Sequence, residues 1–210
     1  GLEVLSAISP DGQFVAYVGV TGNRANIFLQ PSDGGRAVNI TDSLRGAKIS
    51  PDWSPDGRRL VFVSYDPTGA SIVTMPPTGG DVRRLHSAPY SGSIPQAPKW
   101  SPDGDHIAFE HGDSVLVVAA DGSNLTLLAR VLDVHSLAWS PDGRWLAGVR
   151  GNSAFAYSGS GFGNLAASTV FVVPAAGGTP VMVSDSTTLN LSPAWLPGGN
   201  ALLYLSSGGG

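Results

Sequence analysis

The 210-residue sequence predicts an all-β fold built from repeated four-stranded antiparallel units, and three observations support this prediction. A Trp-Ser-Pro-Asp-Gly motif recurs along the chain, a short apolar run follows every copy, and a second, Gly-rich turn recurs within each unit. Repeats of about 40–45 residues that each contain several short strands are typical of β-propeller blades.

The repeated motif has the chemistry of a tight turn. Identical copies begin at Trp53, Trp100 and Trp139, the copy at Ile8 lacks only the Trp, and the copy at Trp195 is degenerate. Ser before Pro suits the start of a β-turn, Pro presets φ, and Asp and Gly supply a polar cap and a residue with positive φ. We interpret the motif as a hairpin turn whose first strand ends in a core Trp. Turns one repeat apart cannot pool their Asp side chains into one metal site.

The strands that follow these turns are apolar at consecutive positions, at 14–18, 60–63, 107–109, 145–149 and 201–205. A continuous apolar run indicates a strand that is buried on both faces. Blades packed face to face around an axis give antiparallel strands that environment, whereas a two-layer sandwich would leave one face in water. The pattern therefore favours a propeller.

A third strand, a Gly-rich turn and a fourth strand recur at 27–35, 72–80, 115–123 and 170–178. The predicted blades of this single domain, residues 1–210, cover approximately 3–41, 47–86, 96–129 and 133–184, with a partial blade at 190–207. About four and a half blades do not close a ring, so we expect a fragment of a six- to eight-bladed propeller. Alternatively, a second chain supplies the missing strands, because an unpaired blade edge is a template for association.

The spacing between motifs varies mainly between the second and third strands of a blade, and less between one blade and the next. In an up-and-down blade these connections share one rim, and variable loops on a rigid scaffold are where binding residues concentrate. The longest insertion, residues 151–164, is rich in Gly and Ser but contains three aromatics, which a linker does not need. Either the loop folds over its own aromatics, or it is a contact loop at the mouth of the propeller. The predicted contact residues are Tyr65, Asp66, Tyr90, His111, Asp113, His135, Phe155, Tyr157 and Phe162.

The densest polar cluster is Glu-His-Gly-Asp at 110–113. We expect a polar turn there. The alternative is a metal or ligand site shared with Asp66 or His135 from neighbouring blades. Neither a His-x-His nor a His-Glu-x-x-His spacing supports a metal, and the Gly-x-Ser-x-Gly nucleophile elbow is absent. We expect no cofactor and no catalytic residue.

Composition limits the partner classes. The net charge is −4 and no basic cluster exceeds Arg83-Arg84, which argues against nucleic acid. The absence of cysteine excludes disulfides. No apolar run reaches the roughly 18 residues of a membrane span, so we expect no direct membrane insertion by this segment.

The motif copies resemble the TolB-like propeller repeats, a WD-repeat-like family whose hallmark is Trp-Ser-Pro-Asp-Gly followed by an apolar strand. The resemblance covers essentially the whole chain. It implies three contexts: TolB itself, a periplasmic partner of an envelope lipoprotein; the extracytoplasmic propeller of bacterial membrane serine/threonine kinases, which residues 5–12 look most like; and the gating propeller of prolyl-oligopeptidase-type serine peptidases.

From the residues and the resemblance we expect a non-catalytic binding or sensing module of a periplasmic or extracytoplasmic bacterial protein, with a protein or peptide partner. One alternative is the substrate gate of a serine peptidase. A second is a propeller that is itself a hydrolase or lyase. A third is a structural protein that associates with itself by strand exchange through open blade edges.

Overall fold

The computed structural model describes residues 6–153 and 165–208, so the predicted contact residues Phe155, Tyr157 and Phe162 lie outside the described residues. The first two blades consist of β1 (Ser6–Ile8), β2 (Phe14–Thr21), β3 (Arg24–Pro31), β4 (Val38–Asn39), β5 (Lys48–Trp53), β6 (Leu60–Asp66), β7 (Gly69–Met75) and β8 (Arg83–Pro89). The next two consist of β9 (Pro95–Trp100), β10 (His106–His111), β11 (Ser114–Ala119), β12 (Thr126–Arg130), β13 (Val134–Trp139), β14 (Trp145–Arg150), β15 (Thr169–Pro174) and β16 (Val181–Met182). A fifth sheet holds β17 (Asn190–Trp195) and β18 (Leu202–Ser206).

Each of the four complete sheets keeps its strands in chain order and pairs them antiparallel. The first strands of successive blades, β1, β5, β9, β13 and β17, contact one another in sequence. These strands are therefore the inner strands around a shared axis. This arrangement confirms the predicted β-propeller of four-stranded blades. Within the described parts of the chain, no helix is long and apolar enough to cross a bilayer.

The core lies between blades. In β6, Leu60 and Phe62 pack in a cluster with blade 1, whereas Val61 and Val63 pack in a cluster with blade 3, and all four side chains are fully buried. A third cluster fills the space between blades 3 and 4. This arrangement explains why the second strands are apolar at consecutive positions. Each such side chain contributes roughly 1.5–3 kcal/mol through burial.

The motif Trp side chains join each blade to the preceding one. The indole Nε1 of Trp53 donates to Ala7 O at 3.1 Å, and Trp195 Nε1 donates to Ala138 O at 3.0 Å. Trp139 Nε1 donates in the same way to Lys99 O at 3.2 Å. In all three cases the acceptor is the residue before the motif position of the preceding blade. Trp53 is buried and Trp139 packs, partly buried, against the core, so these two are core residues as expected, and all three indoles are interblade hydrogen-bond donors.

The junction of blades 2 and 3 departs from this pattern. Trp100 is buried but its indole nitrogen has no hydrogen-bond partner. Instead, the Trp100 backbone N–H donates to Asp52 Oδ2 at 2.9 Å, and Lys99 Nζ lies 3.3 Å from Asp52 Oδ1. Burial raises the pKa of the Asp52 carboxyl, and the Lys99 ammonium partly opposes that shift. A charged side-chain bridge therefore replaces the indole bond at this junction.

The motif turns have the predicted geometry with an added serine–aspartate bond. In the fourth blade, Gly143 N donates to Ser140 O at 2.9 Å and Gly143 has a φ of 69°. Ser140 Oγ donates to Asp142 Oδ1 at 2.6 Å, and Trp145 N donates to Ser140 Oγ at 2.9 Å. The same bonds recur in the first three blades. Each turn is therefore a self-contained hydrogen-bonded unit.

Replacing Ser140 by Ala is expected to raise the pKa of Asp142. The Ser140 hydroxyl is the largest cause that lowers this pKa, from 3.8 to about 2. Because the folded-state pKa is depressed, the stabilisation is present above the unfolded pKa and is lost as pH falls through the folded value. Carboxyl NMR titration of Ser140→Ala should give an Asp142 pKa closer to 3.8. An unchanged pKa of Asp142 would show that the hydrogen bonds from Arg144 are enough to keep this pKa low.

The loop lengths differ in part from the sequence prediction. The second and third strands of blades 1 to 3 are joined by short turns at 22–23, 67–68 and 112–113, and the spacing differences there arise from strand length. Only in the fourth blade is this connection long, at 151–168. The expectation of generally variable loops at this position was therefore wrong for three blades, because strands can extend without changing their turn.

The last described strand is exposed. Leu203 and Leu205 of β18 are 61% and 68% exposed, and β18 pairs only with β17 within the described residues. An open apolar edge is a surface for strand pairing. Self-association through this edge stays a prediction.

Candidate functional site

The rim opposite the motif turns is here called the loop rim. Because the strands are antiparallel, it holds the turns at 22–23, 67–68 and 112–113, the described ends of the insertion at 151–153 and 165–168, and the links between blades. A cavity of about 380 Å³ opens on it between blades 3 and 4. This cavity, the rim cleft, is lined by Gly92, Ser93, Ile94, Gln96, Glu110, Gly112, Asp113, Asp133, Val134 and Ser153.

One wall of the rim cleft is the link at 90–94, which joins β8 to β9. It packs closely on the turn that contains Gly112, where a Cβ would lie 2.9 Å from Ser93 Oγ and where φ is 59°. His111 Nε2 lies 2.9 Å from Ser93 O. The predicted contact residue His111 therefore does not line the cleft. It contacts the backbone of the link that forms this wall.

The other wall is built around Asp133, which sequence reasoning missed. Its carboxylate accepts hydrogen bonds from the Ser153 N–H at 3.1 Å and from the Ser153 hydroxyl. The predicted residue Asp113 also lines the cleft, and Asp113 Oδ1 accepts a hydrogen bond from Asp133 N at 3.4 Å. The only sequence signal for Asp133 is its place between two strands on the variable rim.

The base of the long insertion is fastened at the edge of the cleft. Asn152 Nδ2 donates to Ala166 O at 2.8 Å, and Ala166 N donates to Asn152 Oδ1 at 3.1 Å. Gly151 N donates to Asp133 O at 2.8 Å. These bonds join the two ends of the insertion to each other and tie the first end to the link before β13.

His135 is a structural residue, which corrects the expectation that it contacts a partner. It lies in β13, is 1% exposed, and both ring nitrogens are engaged. Nε2 donates to Gly151 O at 2.7 Å because a carbonyl only accepts, and Nδ1 lies 2.7 Å from the Ser136 hydroxyl oxygen. The buried His135 positions the first residue of the insertion.

The three predicted residues of blade 2 lie together but do not line the rim cleft. Tyr90, 52% exposed, donates through its hydroxyl to Asp66 O at 2.9 Å. The Asp66 carboxylate caps its own turn through Thr68 N at 2.8 Å. Tyr65 packs on the core, and burial raises the pKa of its phenol. Among these three residues, Tyr90 offers the most accessible surface.

The expected alternative of a shared metal site finds no support in the geometry. Among residues 6–153 and 165–208, no group of three or more His, Asp or Glu side chains is arranged to hold a metal ion. The partner of His111 is instead His86, whose Nε2 lies 3.0 Å from His111 Nδ1. The sequence gave no sign of this contact.

The chemistry of the rim cleft is that of a hydrogen-bond acceptor. Carboxylates of Glu110, Asp113 and Asp133 line it, together with the Gln96 amide, and neither Lys nor Arg is among its lining residues. Such a surface suits the N–H groups and cationic side chains of another polypeptide.

These observations define the class: an up-and-down β-propeller with Trp-Ser-Pro-Asp-Gly turns on one rim and an insertion beside a cleft on the other. The family model described as the TolB beta propeller domain matches residues 3–158. The chain belongs to this family.

Relatives in bacteria share part of the chain. It is 36% identical over 106 residues to an uncharacterized peptidase, YuxL, of Bacillus subtilis (strain 168), a match that covers 47% of the chain and 16% of YuxL. It is 39% identical over 77 residues to the Tol-Pal system protein TolB of Alcanivorax borkumensis, covering 37% of the chain and 17% of that protein. The matches thus span less than a fifth of each relative.

A solved structure shows the same fold. The structure of a putative TolB from Agrobacterium tumefaciens superposes with a TM-score of 0.72 at 24% identity, covering 96% of this chain and 73% of the other. At this identity the likeness speaks for the fold alone.

Proposed function

We propose that this propeller is a non-catalytic binding module that holds a protein or peptide partner at the rim cleft. The observation that supports the proposal most directly is the cleft itself, a cavity of about 380 Å³ whose walls come from two blade links and two blades. The walls are hydrogen-bonded in place before any partner arrives, which reduces the ordering that binding requires.

We further propose that the module works outside the bacterial cytoplasm. Support comes from the family and from the relative named as a Tol-Pal system protein. The same resemblance links this propeller type to periplasmic proteins and to the outer segments of membrane kinases. A sensor head and an envelope adaptor would both use a cleft of this kind.

A random peptide library displayed on phage provides the test. Peptides selected on the wild-type chain should bind Asp113→Ala about tenfold more weakly, because a charged hydrogen-bond acceptor is lost from the cleft. The matched control is Asp105→Ala, which removes an exposed carboxylate on the motif rim. Binding should be measured by biolayer interferometry, with thermal unfolding confirming that both variants fold.

Selected peptides that bind wild type, Asp113→Ala and Asp133→Ala equally well would place the binding surface elsewhere. The predicted contacts at Phe155, Tyr157 and Phe162 are tested with the same peptides. Alanine at Tyr157 and Phe162 should weaken binding if the insertion touches the partner, and unchanged affinity would remove the insertion from the proposal.

A second candidate is a propeller that gates access to a peptidase. The observation that favours it is the 36% identity to a relative named as a peptidase. The parent reading frame decides between the two functions. A hydrolase segment with a Gly-x-Ser-x-Gly elbow would support the gate, and its absence on both sides of this chain would reject it.

A further inference from the structure

A short hydrogen-bonded chain connects the core of blade 2 to the rim cleft. His86 of β8 lies against the ring of Phe109, with ring centroids 5.1 Å apart. His86 Nε2 is 3.0 Å from His111 Nδ1, and His111 Nε2 is 2.9 Å from the carbonyl oxygen of Ser93. Ser93 is in the wall of the rim cleft. The two imidazoles therefore tether the link at 90–94 to blades 2 and 3.

The carbonyl at one end fixes the proton positions along this chain. Ser93 O only accepts, so His111 Nε2 donates to it. In a neutral His111 the other nitrogen, Nδ1, then accepts, and its donor is His86 Nε2. When both rings are neutral, His86 therefore donates to His111, and His111 donates to Ser93 O in the link at 90–94.

This chain tolerates one added proton but not two. A proton on His86 Nδ1 leaves the donation to His111 intact. A second proton has to enter at His111 Nδ1, where two N–H donors would face each other at the 3.0 Å separation of the two nitrogens. The contact between His86 and His111 therefore has to break. His111 moves, and its hydrogen bond to Ser93 O is lost with it.

We propose that the His86–His111 pair is a pH-sensitive tether that releases the link at 90–94, and so loosens the wall of the rim cleft, when both rings become protonated. The proposal concerns the regulation of the site described under Proposed function and rests on that function. Partner binding at the cleft weakens in acid because a wall that was fixed before binding has to be ordered during binding.

The charged groups around the pair differ between its two rings. β7, which pairs with β8 opposite His86, contains no titratable side chain. On β8, Arg84 is engaged with Asp66 at 3.5 Å. On β10, the neighbouring Glu110 is 3% exposed and lines the cleft, and Asp113 in the following turn also lines the cleft.

The direction of the His86 shift agrees with this geometry. Burial first, and then the neighbouring His111, lower the pKa of His86 below 6.5. The charged form of His86 is therefore penalised in the folded chain.

Hydrogen exchange of the whole chain tests the tether without any partner. Amides of residues 90–94 and 96 should exchange about tenfold faster at pH 5 than at pH 7.5 after correction for intrinsic rates, while amides of β6 and β7 stay protected. His86→Gln is the decisive variant. Its amide can donate to a neutral His111 or turn to accept from a protonated one, so protection of 90–96 should become independent of pH.

Two further variants complete the design. His86→Leu removes the donor, so residues 90–96 should exchange rapidly at both pH values. His106→Gln replaces an exposed histidine at the opposite end of β10 and should behave as wild type. Protection that is unchanged between pH 7.5 and 5, or a pH dependence that persists in His86→Gln, would overturn the tether. Because no partner is used, the tether can hold even if the proposed binding at the cleft fails.

Discussion

Replacing Gly46 by Ala is expected to destabilise the propeller by more than about 4 kcal/mol. A Cβ at this position would lie 1.8 Å from the carbonyl oxygen of Tyr65 and 2.7 Å from its carbonyl carbon. Both atoms belong to the backbone of β6, which is paired on both edges. No side-chain rotation relieves this clash, so the link at 40–47 or β6 itself has to move. Chemical denaturation should show the loss directly.

The control isolates the clash from backbone strain. Gly46 has a φ of 74° and Gly80 has a φ of 71°, so both substitutions force a left-handed conformation on an alanine. Nothing lies within 4 Å of a Cβ at Gly80. Gly80→Ala should therefore cost about 1–2 kcal/mol, the strain alone. Equal losses in the two variants would contradict the packing seen around Gly46.

Replacing Lys48 by Met should remove a rise in stability at alkaline pH. Lys48 is fully buried and its ammonium donates to Leu44 O at 2.5 Å and to Gly46 O at 2.8 Å. Burial is the largest cause that lowers its pKa, from 10.5 to about 8, with the charge of Arg24 adding to it and that of Asp42 opposing it. The buried charge of Lys48 thus lowers the free energy of unfolding. The hydrogen bonds of its ammonium nevertheless fix the link at 40–47.

The sign of the pH effect follows from that shift. Between the folded pKa of about 8 and the unfolded value of 10.5, the unfolded chain binds more protons, so stability rises with pH across this window. Below pH 8 both states are protonated and the dependence vanishes. We expect a wild-type gain of about 1–2 kcal/mol between pH 7 and 10, since the two carbonyl oxygens partly solvate the ammonium.

The measurement is urea denaturation at pH 7, 8.5 and 10, with Lys99→Met as the matched control. Lys99, the other lysine of the chain, is partly exposed beside Asp52, and its loss should leave the alkaline rise in place. Lys48→Met should lack the rise and should be less stable at pH 7 because two carbonyls lose their donor. If the free energy of unfolding of Lys48→Met rose by the same amount between pH 7 and 10, the rise would come from a group other than Lys48.

The repetition in the sequence was enough to predict the fold. The motif turn is local chemistry: the Ser140 and Asp142 side chains bond to each other and to the backbone within a few residues. The consecutive apolar residues of β6 report two buried faces, which a propeller provides. Both signals act over distances shorter than one blade, so the sequence displays them directly.

The position of the loop rim was also predictable, because antiparallel order fixes which connections share an end. The predicted contact residue Asp113 lines the rim cleft, whereas the predicted contact residue His135 is buried. A histidine at the start of an inner strand looks the same in sequence whether it faces the axis or the core. Its hydrogen bonds are to the adjacent Ser136 and to Gly151, the residue that follows β14, and β14 pairs with β13.

By itself, then, the sequence determined the blades, their turns and the rim on which the chain varies. The tertiary structure alone decided which groups meet: His86 with His111 across blades 2 and 3, Lys48 with the carbonyl oxygens of Leu44 and Gly46, and Asp133 with Ser153. The physical reason is that periodicity specifies which face of a strand is buried. The contacts between blades depend on how each blade is rotated and shifted against the next, and that is set by packing of the whole interface.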